Sequence, residues 1–171
     1  MSNWEQHIQL LREVNFNQFN RGDGTMRFMM FMIPAVYQGK KGKQLDKNFA
    51  PPADAVEQMM KYNEELAKAG ALISLDGLHP LEKGARVAFS KGKPTVTDGP
   101  FIESKEVFGG YWIVQFKSKE EAVSWAKRVP AADGDVIEVR QIFEMTDFPA
   151  DVQKAADSKT VKAELAKHSK S

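Results

Sequence analysis

Asp98, Glu103, Lys105 and Glu106 stand within one stretch, Val96-Thr97-Asp98-Gly99-Pro100-Phe101-Ile102-Glu103-Ser104-Lys105-Glu106, closed by Gly109-Gly110-Tyr111. Three carboxylates and an amine this close in sequence suit acid–base work or the holding of an anion. A carboxylate beside another has its pKa raised, and a lysine binds negative charge. The stretch connects two strand-like runs, and loops carried by a rigid scaffold are where chemistry is usually placed. The same residues also have a plain structural account. Asp-Gly-Pro is turn chemistry: Asp bonds the following backbone, Gly supplies unusual φ and Pro fixes the bend. Glu103, Lys105 and Glu106 as a solvated loop would form ion pairs worth about 0–1 kcal/mol.

His79, in Asp76-Gly77-Leu78-His79-Pro80, is the one histidine outside the terminal extensions, His7 and His168 being the others. Histidine is the side chain suited to proton transfer near neutral pH, and Asp76 or Asp98 could orient it. An exposed loop histidine is the alternative. The catalytic candidates are thus Asp98, His79 and Glu103, and the ligand-binding candidates Lys105, Glu106, Tyr111, Phe101 and Arg140. Arg86 and Arg140 lie in strand-like runs, where they could clamp a carboxylate or phosphate or form salt bridges at an edge. Phe101, Tyr62, Tyr111 and Trp112 could line a pocket or pack a core or dimer contact.

No histidine pair at i, i+4 occurs and the chain has no cysteine, so no metal site is expected. No Gly-rich phosphate loop is present, and no cofactor is expected. The basic run Gly39-Lys40-Lys41-Gly42-Lys43 lacks interleaved aromatics and reads as a loop, making nucleic acid an improbable partner. With 24 basic and 23 acidic residues the net charge is +1, which gives no general pull toward polyanions. Cysteine-free composition fits a reducing compartment. The N-terminus lacks a signal-like apolar run, and the apolar stretch Phe28 to Val36 is far short of the roughly 20 residues a membrane helix needs. A cytoplasmic protein is expected.

The elements that must position these residues follow from periodicity. Residues 1–25 read as an extension, a short amphipathic helix with Trp4, Ile8 and Leu11 at helical spacing and then a loop. Met26 to Ile33 is a continuous apolar strand ended by Pro34. Ala55 to Ala69 reads as a helix with Val56, Met59, Met60, Leu66 and Ala67 in one stripe and Gly70 after its end. Strands are predicted at Ala71 to Leu75, Gly110 to Phe116 and Val136 to Phe143, and a hairpin at Arg86 to Ser90 and Pro94 to Thr97 around Lys91-Gly92-Lys93. Ser118-Lys119-Glu120-Glu121 is a capping box opening a helix to about Val129. Residues 149–171 form an Ala/Lys-rich tail that could be a solvated helix. The domain proper is predicted over residues 26–148.

The order β-α-β, hairpin, β-α-β predicts an α+β fold: the ferredoxin-like split βαβ sandwich with an inserted β-hairpin. Helices on one face leave the other face of such a sheet bare. The first strand is apolar on both faces, with Met29, Phe31 and Ile33 opposite Phe28, Met30 and Met32, so a homodimer joined through the sheets is expected.

Gly70-Ala71-Leu72, the Val96 to Glu106 motif, Gly109-Gly110-Tyr111, the pair Trp125-Ala126 after Ala122, and Glu138-Val139-Arg140 together resemble the YCII-related (DGPF-domain) family over about residues 26 to 145. The resemblance implies a dimeric α/β barrel, two subunits with sheets face to face and a cleft between them. A shorter branch of that family carries a histidine on the first helix, read with an aspartate as an acid–base pair. The corresponding position here is about Met59, so that pair is not carried over. Some members are linked to extracytoplasmic-function sigma factors. The functions in view are therefore a small-molecule binder with its ligand in an inter-subunit cleft, cofactor-free acid–base chemistry being the reaction class open to it; a non-catalytic regulatory or interaction protein linked to transcription; or a purely structural DGPF motif.

Overall fold

The apolar run Met26–Ile33 forms strand β1, and the computed structural model describes residues 24–38, 48–101 and 106–168. Two compact units are present, Met26–Ile142 and a smaller one that takes in the described residues 143–168. The expected N-terminal helix and the loop Gly39–Lys43 lie outside the described residues.

In the larger unit the elements after β1 are α1 (Ala53–Lys68), β2 (Leu72–Gly77), β3 (Ala85–Ser90), β4 (Lys93–Asp98), β5 (Gly110–Phe116), α2 (Lys119–Ala126) and β6 (Val136–Gln141). Four strands make one antiparallel sheet in the order β2-β5-β1-β6; β3 and β4 make a separate two-stranded sheet. The fold is α+β, and among the described residues neither sheet closes into a barrel. β1 takes the centre because its side chains are apolar on both faces, so it is tolerated only between two neighbours. Its register sets Met30 opposite Trp112 of β5 and Val139 of β6.

Both helices pack on one face of the large sheet. Phe28, Met30, Trp112, Val114, Phe116, Leu66 and Ala122 are buried there. Tyr62 meets Trp112 edge-on at 6.1 Å, and Trp125 stacks on Phe116 at 6.0 Å. The helix stripe is turned from the one the sequence suggests: α1 buries Tyr62, Asn63 and Leu66, while Val56 and Met60 are exposed. The cause is a polar pair inside the core. Trp112 Nε1 donates to Asn63 Oδ1 at 2.8 Å, which satisfies both groups and lets a helix face carrying asparagine turn inward. Tyr62 donates its hydroxyl to the Trp125 carbonyl at 3.2 Å, and burial pushes its phenol up to about 12, so it stays a neutral donor.

α2 begins on the Ser118 cap, but the return arm of the expected capping box lands one residue early, on Lys117 rather than on Ser118 itself. Ser118 Oγ accepts from Glu121 N at 3.1 Å, and Glu121 reaches back to the Lys117 N–H at 2.9 Å. In the smaller unit, the tail holds two helices rather than one, α3 (Ala150–Ala155) and α4 (Lys159–His168). Before them Phe143 packs on Phe148 at 5.0 Å.

Candidate functional site

The segment between β2 and β3 folds back as a 3-10 turn, Leu81–Lys83, and the turn after β4 lies directly on it. Gly99 N donates to Gly84 O at 2.9 Å. A Cβ on Gly99 would stand 1.7 Å from Leu81 O, so backbone meets backbone with no room for any side chain. Beyond it Phe101 is buried, and the Arg86 guanidinium lies 4.2 Å above its ring. The second glycine pair is as constrained. A Cβ on Gly109 would come within 2.5 Å of Pro34 Cγ, and one on Gly110 within 2.8 Å of Asp76 O. Gly109 bridges two strands, donating to Met32 O and accepting from Leu78 N, both at 2.8 Å. Gln38 holds Val107, just before this pair, by accepting from Val107 N at 3.0 Å and donating to Val107 O at 2.9 Å. The glycines and Phe101 of the motif are therefore architectural.

What this architecture encloses is an open cleft of about 420 Å³, within the range typical of small-molecule sites. Among its lining residues Leu78, Phe101 and Phe108 are apolar, and His79, Lys83, Arg86 and Glu106 are polar or charged. Its charged and titratable lining residues are two basic side chains, an imidazole and one carboxylate. That set suits an anionic group on an apolar body, because guanidinium and ammonium donate charge-assisted hydrogen bonds to carboxylate or phosphate.

The residues expected from the sequence divide as follows. His79, Phe101 and Glu106 share the cleft. Asp98 stands exposed at the end of β4 opposite Ala85 and is not among the lining residues. Glu103 and Lys105 lie outside the described residues. Among the described residues no hydrogen bond joins His79 to Asp76 or Asp98. Asp76 instead accepts from the Tyr111 hydroxyl at 2.7 Å, and that bond raises the phenol above its ordinary value. No cluster of three or more potential metal-binding His, Cys, Asp or Glu side chains occurs among the described residues.

Tyr111 and Arg140 belong to the sheet face that α1 and α2 leave bare. The register aligns Asp76, Tyr111, Phe31 and Glu138 in one row across β2, β5, β1 and β6, and Ser74, Ile113, Met29 and Arg140 in the next. Arg140 Nε lies 3.7 Å from Glu138 Oε1. The centre of this face is apolar and half-buried, its margins charged. It meets the cleft at Phe108, whose ring stacks on Phe31 at 4.6 Å.

Sequence reasoning missed Lys83, Leu78 and Phe108 as cleft residues and Asp76 as the partner of Tyr111. A signal for the first was present: Leu78 to Gly84 is a connection between strands, the usual carrier of binding groups. The second needed the β2–β5 register.

Two comparisons bear on this arrangement. An uncharacterized protein of Rhizobium meliloti (strain 1021) is 32% identical over 91 residues, covering 53% of this chain and 68% of the relative. The model of the YCII-related domain matches residues 26–146, a span that contains the sheet, the hairpin, both motif glycine turns and every residue lining the cleft. The chain belongs to the YCII-related domain family.

Proposed function

We propose that the protein is a cytoplasmic homodimer of ferredoxin-like subunits, paired through their bare sheet faces as a dimeric α/β barrel, that binds a small anionic molecule with an apolar body in the cleft beside His79. One observation carries the ligand reading: His79, Lys83, Arg86 and Glu106 converge on an otherwise apolar cleft. His79 and Glu106 are side chains of the kinds that move protons in general acid–base catalysis, a reaction class that needs no cofactor. The dimer reading is supported by the sheet order β2-β5-β1-β6 with both helices on one face and by the apolar centre of the other, Met29, Phe31 and Ile113.

The ligand reading is tested with a panel of aromatic and branched aliphatic carboxylates and, as controls, their primary amides. Thermal shift and calorimetry should show carboxylates raising Tm and the amides inert. Arg86→Ala should weaken binding about tenfold or more, the loss of a charge-assisted hydrogen bond of about 1.5–3 kcal/mol. A panel in which amides bind as well as acids, or in which nothing binds, removes the reading. For the dimer, Phe31→Glu puts a charge at the centre of the bare face and should halve the mass measured by light scattering at unchanged circular dichroism. An unchanged mass would exclude pairing through that face.

A further inference from the structure

The β3–β4 hairpin is exposed along both strands. Its turn has φ of 49° at Lys91 and 76° at Gly92, the signature of a two-residue turn matched to strand twist. Residues directly opposite share a face, so Val87 and Val96, with Phe89 and Pro94, form one apolar surface. Phe89 is 78% exposed, Val96 64% and Val87 54%. A lone two-stranded ribbon is marginal in water, and three or more strands are needed for independent stability.

The hydrogen-bond parity shows which edge is open. Such a turn closes on a hydrogen-bonded pair, here Ser90 and Lys93. The bond from Gly99 N to Gly84 O fixes the same parity at the other end. The alternate residues therefore turn their main-chain groups outward: Ala85, Val87 and Phe89 on β3, and Pro94, Val96 and Asp98 on β4. Pro94 has no N–H to offer, which guards the β4 edge. The β3 edge carries no such guard, and among the described residues no strand pairs with it.

We infer that β3 pairs antiparallel with β3 of a second copy of this chain, about a two-fold axis at Val87, building a four-stranded sheet between the copies. The strand is self-complementary in that register. Val87 meets the partner's Val87, and Phe89 lies against the partner's Ala85, large beside small. Arg86 faces the partner's Ala88 and not its own like, so no equal charges oppose each other within the strand. The apolar residues of both copies fall on one side. This surface is separate from the bare sheet face proposed above to join subunits, so with both contacts formed the assembly is a dimer of dimers, and the inference stands without it.

Val87→Pro tests it on the full chain. Because the Val87 N–H points outward, proline there removes a donor from the β3 edge and none from the β3–β4 ladder. Val96→Pro makes the matching change on the β4 edge. Val87→Pro should halve the mass in light scattering, and Val96→Pro should leave it at the wild-type value. Equal masses for wild type and Val87→Pro, or a halved mass for Val96→Pro, would overturn the inference. Should Val87→Pro unfold, Val87→Cys in this cysteine-free chain gives a second reading. A hydrogen-bonded antiparallel pair sets Cα atoms about 5.5 Å apart, within disulfide reach, so mild oxidation should yield a covalent dimer that Val96→Cys does not give. Failure of folded Val87→Cys to cross-link would also overturn it. If Phe31→Glu leaves the mass unchanged while Val87→Pro halves it, sheet-face pairing falls and the β3 contact stays.

Discussion

Gly99→Ala should lower stability by more than about 3 kcal/mol and, on the proposed ligand reading, abolish carboxylate binding at temperatures where the variant is still folded. The added Cβ would stand 1.7 Å from Leu81 O and 3.1 Å from Gly84 O. Both are backbone atoms, so no rotamer change relieves the collision, and either the 81–84 turn or the Asp98–Phe101 turn must move. Overpacking that forces backbone shifts costs about 1–3 kcal/mol and sometimes more, and here it also breaks the bond from Gly99 N to Gly84 O. At about 2–8 °C per kcal/mol for domains of this size class, Tm should fall by roughly 10 °C or more. Displacing Phe101 removes the ring beneath Arg86, and with it the positioning that the proposed anion binding needs. Gly84→Ala is the control: its Cβ would be 3.4 Å from Leu81 O, ordinary contact, and it should cost under about 1 kcal/mol. Denaturant midpoints within about 1 kcal/mol of wild type for Gly99→Ala would show that the two turns do not rest on each other.

That contact also marks where the sequence stopped being legible. The strands were readable because each is a local pattern: an unbroken apolar run at Met26–Ile33, aromatic and β-branched residues at Gly110–Phe116, Lys-Gly in the hairpin turn. The N-cap at Ser118 was readable for the same reason. Asp98-Gly99-Pro100 announces a turn but not what the turn lies on, since Leu81 is far away in sequence. The cleft has the same character. His79 and Glu106 were visible as candidates by residue type; that they share a cleft while Asp98 faces elsewhere depends on the hairpin's register and on the glycine contacts that fold the chain back. Sequence proximity makes Asp76 a candidate to orient His79, and the β2–β5 register sets it against Tyr111 instead. The stripe on α1 failed for an energetic reason. Periodicity counts Val56 and Met60 as core and Asn63 as surface, but an asparagine can be buried when a distant donor satisfies it.

Asn63 and Trp112 thus hold the second large prediction. Trp112 is buried between sheet and helix, and Trp112→Ala should cost about 3–5 kcal/mol for the cavity alone, a large share of a total that is typically 5–15 kcal/mol. The hydrogen bond is separable from the volume. Asn63→Leu leaves the indole N–H without its acceptor, and Trp112→Phe leaves the Asn63 carbonyl without its donor. Each should cost about 1–3 kcal/mol, the desolvation penalty of an orphaned buried group. Replacing both partners with apolar side chains, Asn63→Leu with Trp112→Phe, removes the orphan on each side. The double variant should then be more stable than the sum of its singles by about 1–2 kcal/mol. Urea unfolding of the four proteins in that cycle measures the coupling directly. Strict additivity would mean that the 2.8 Å bond does not decide which face of α1 turns inward, and that packing of Tyr62 and Leu66 sets the helix rotation without it.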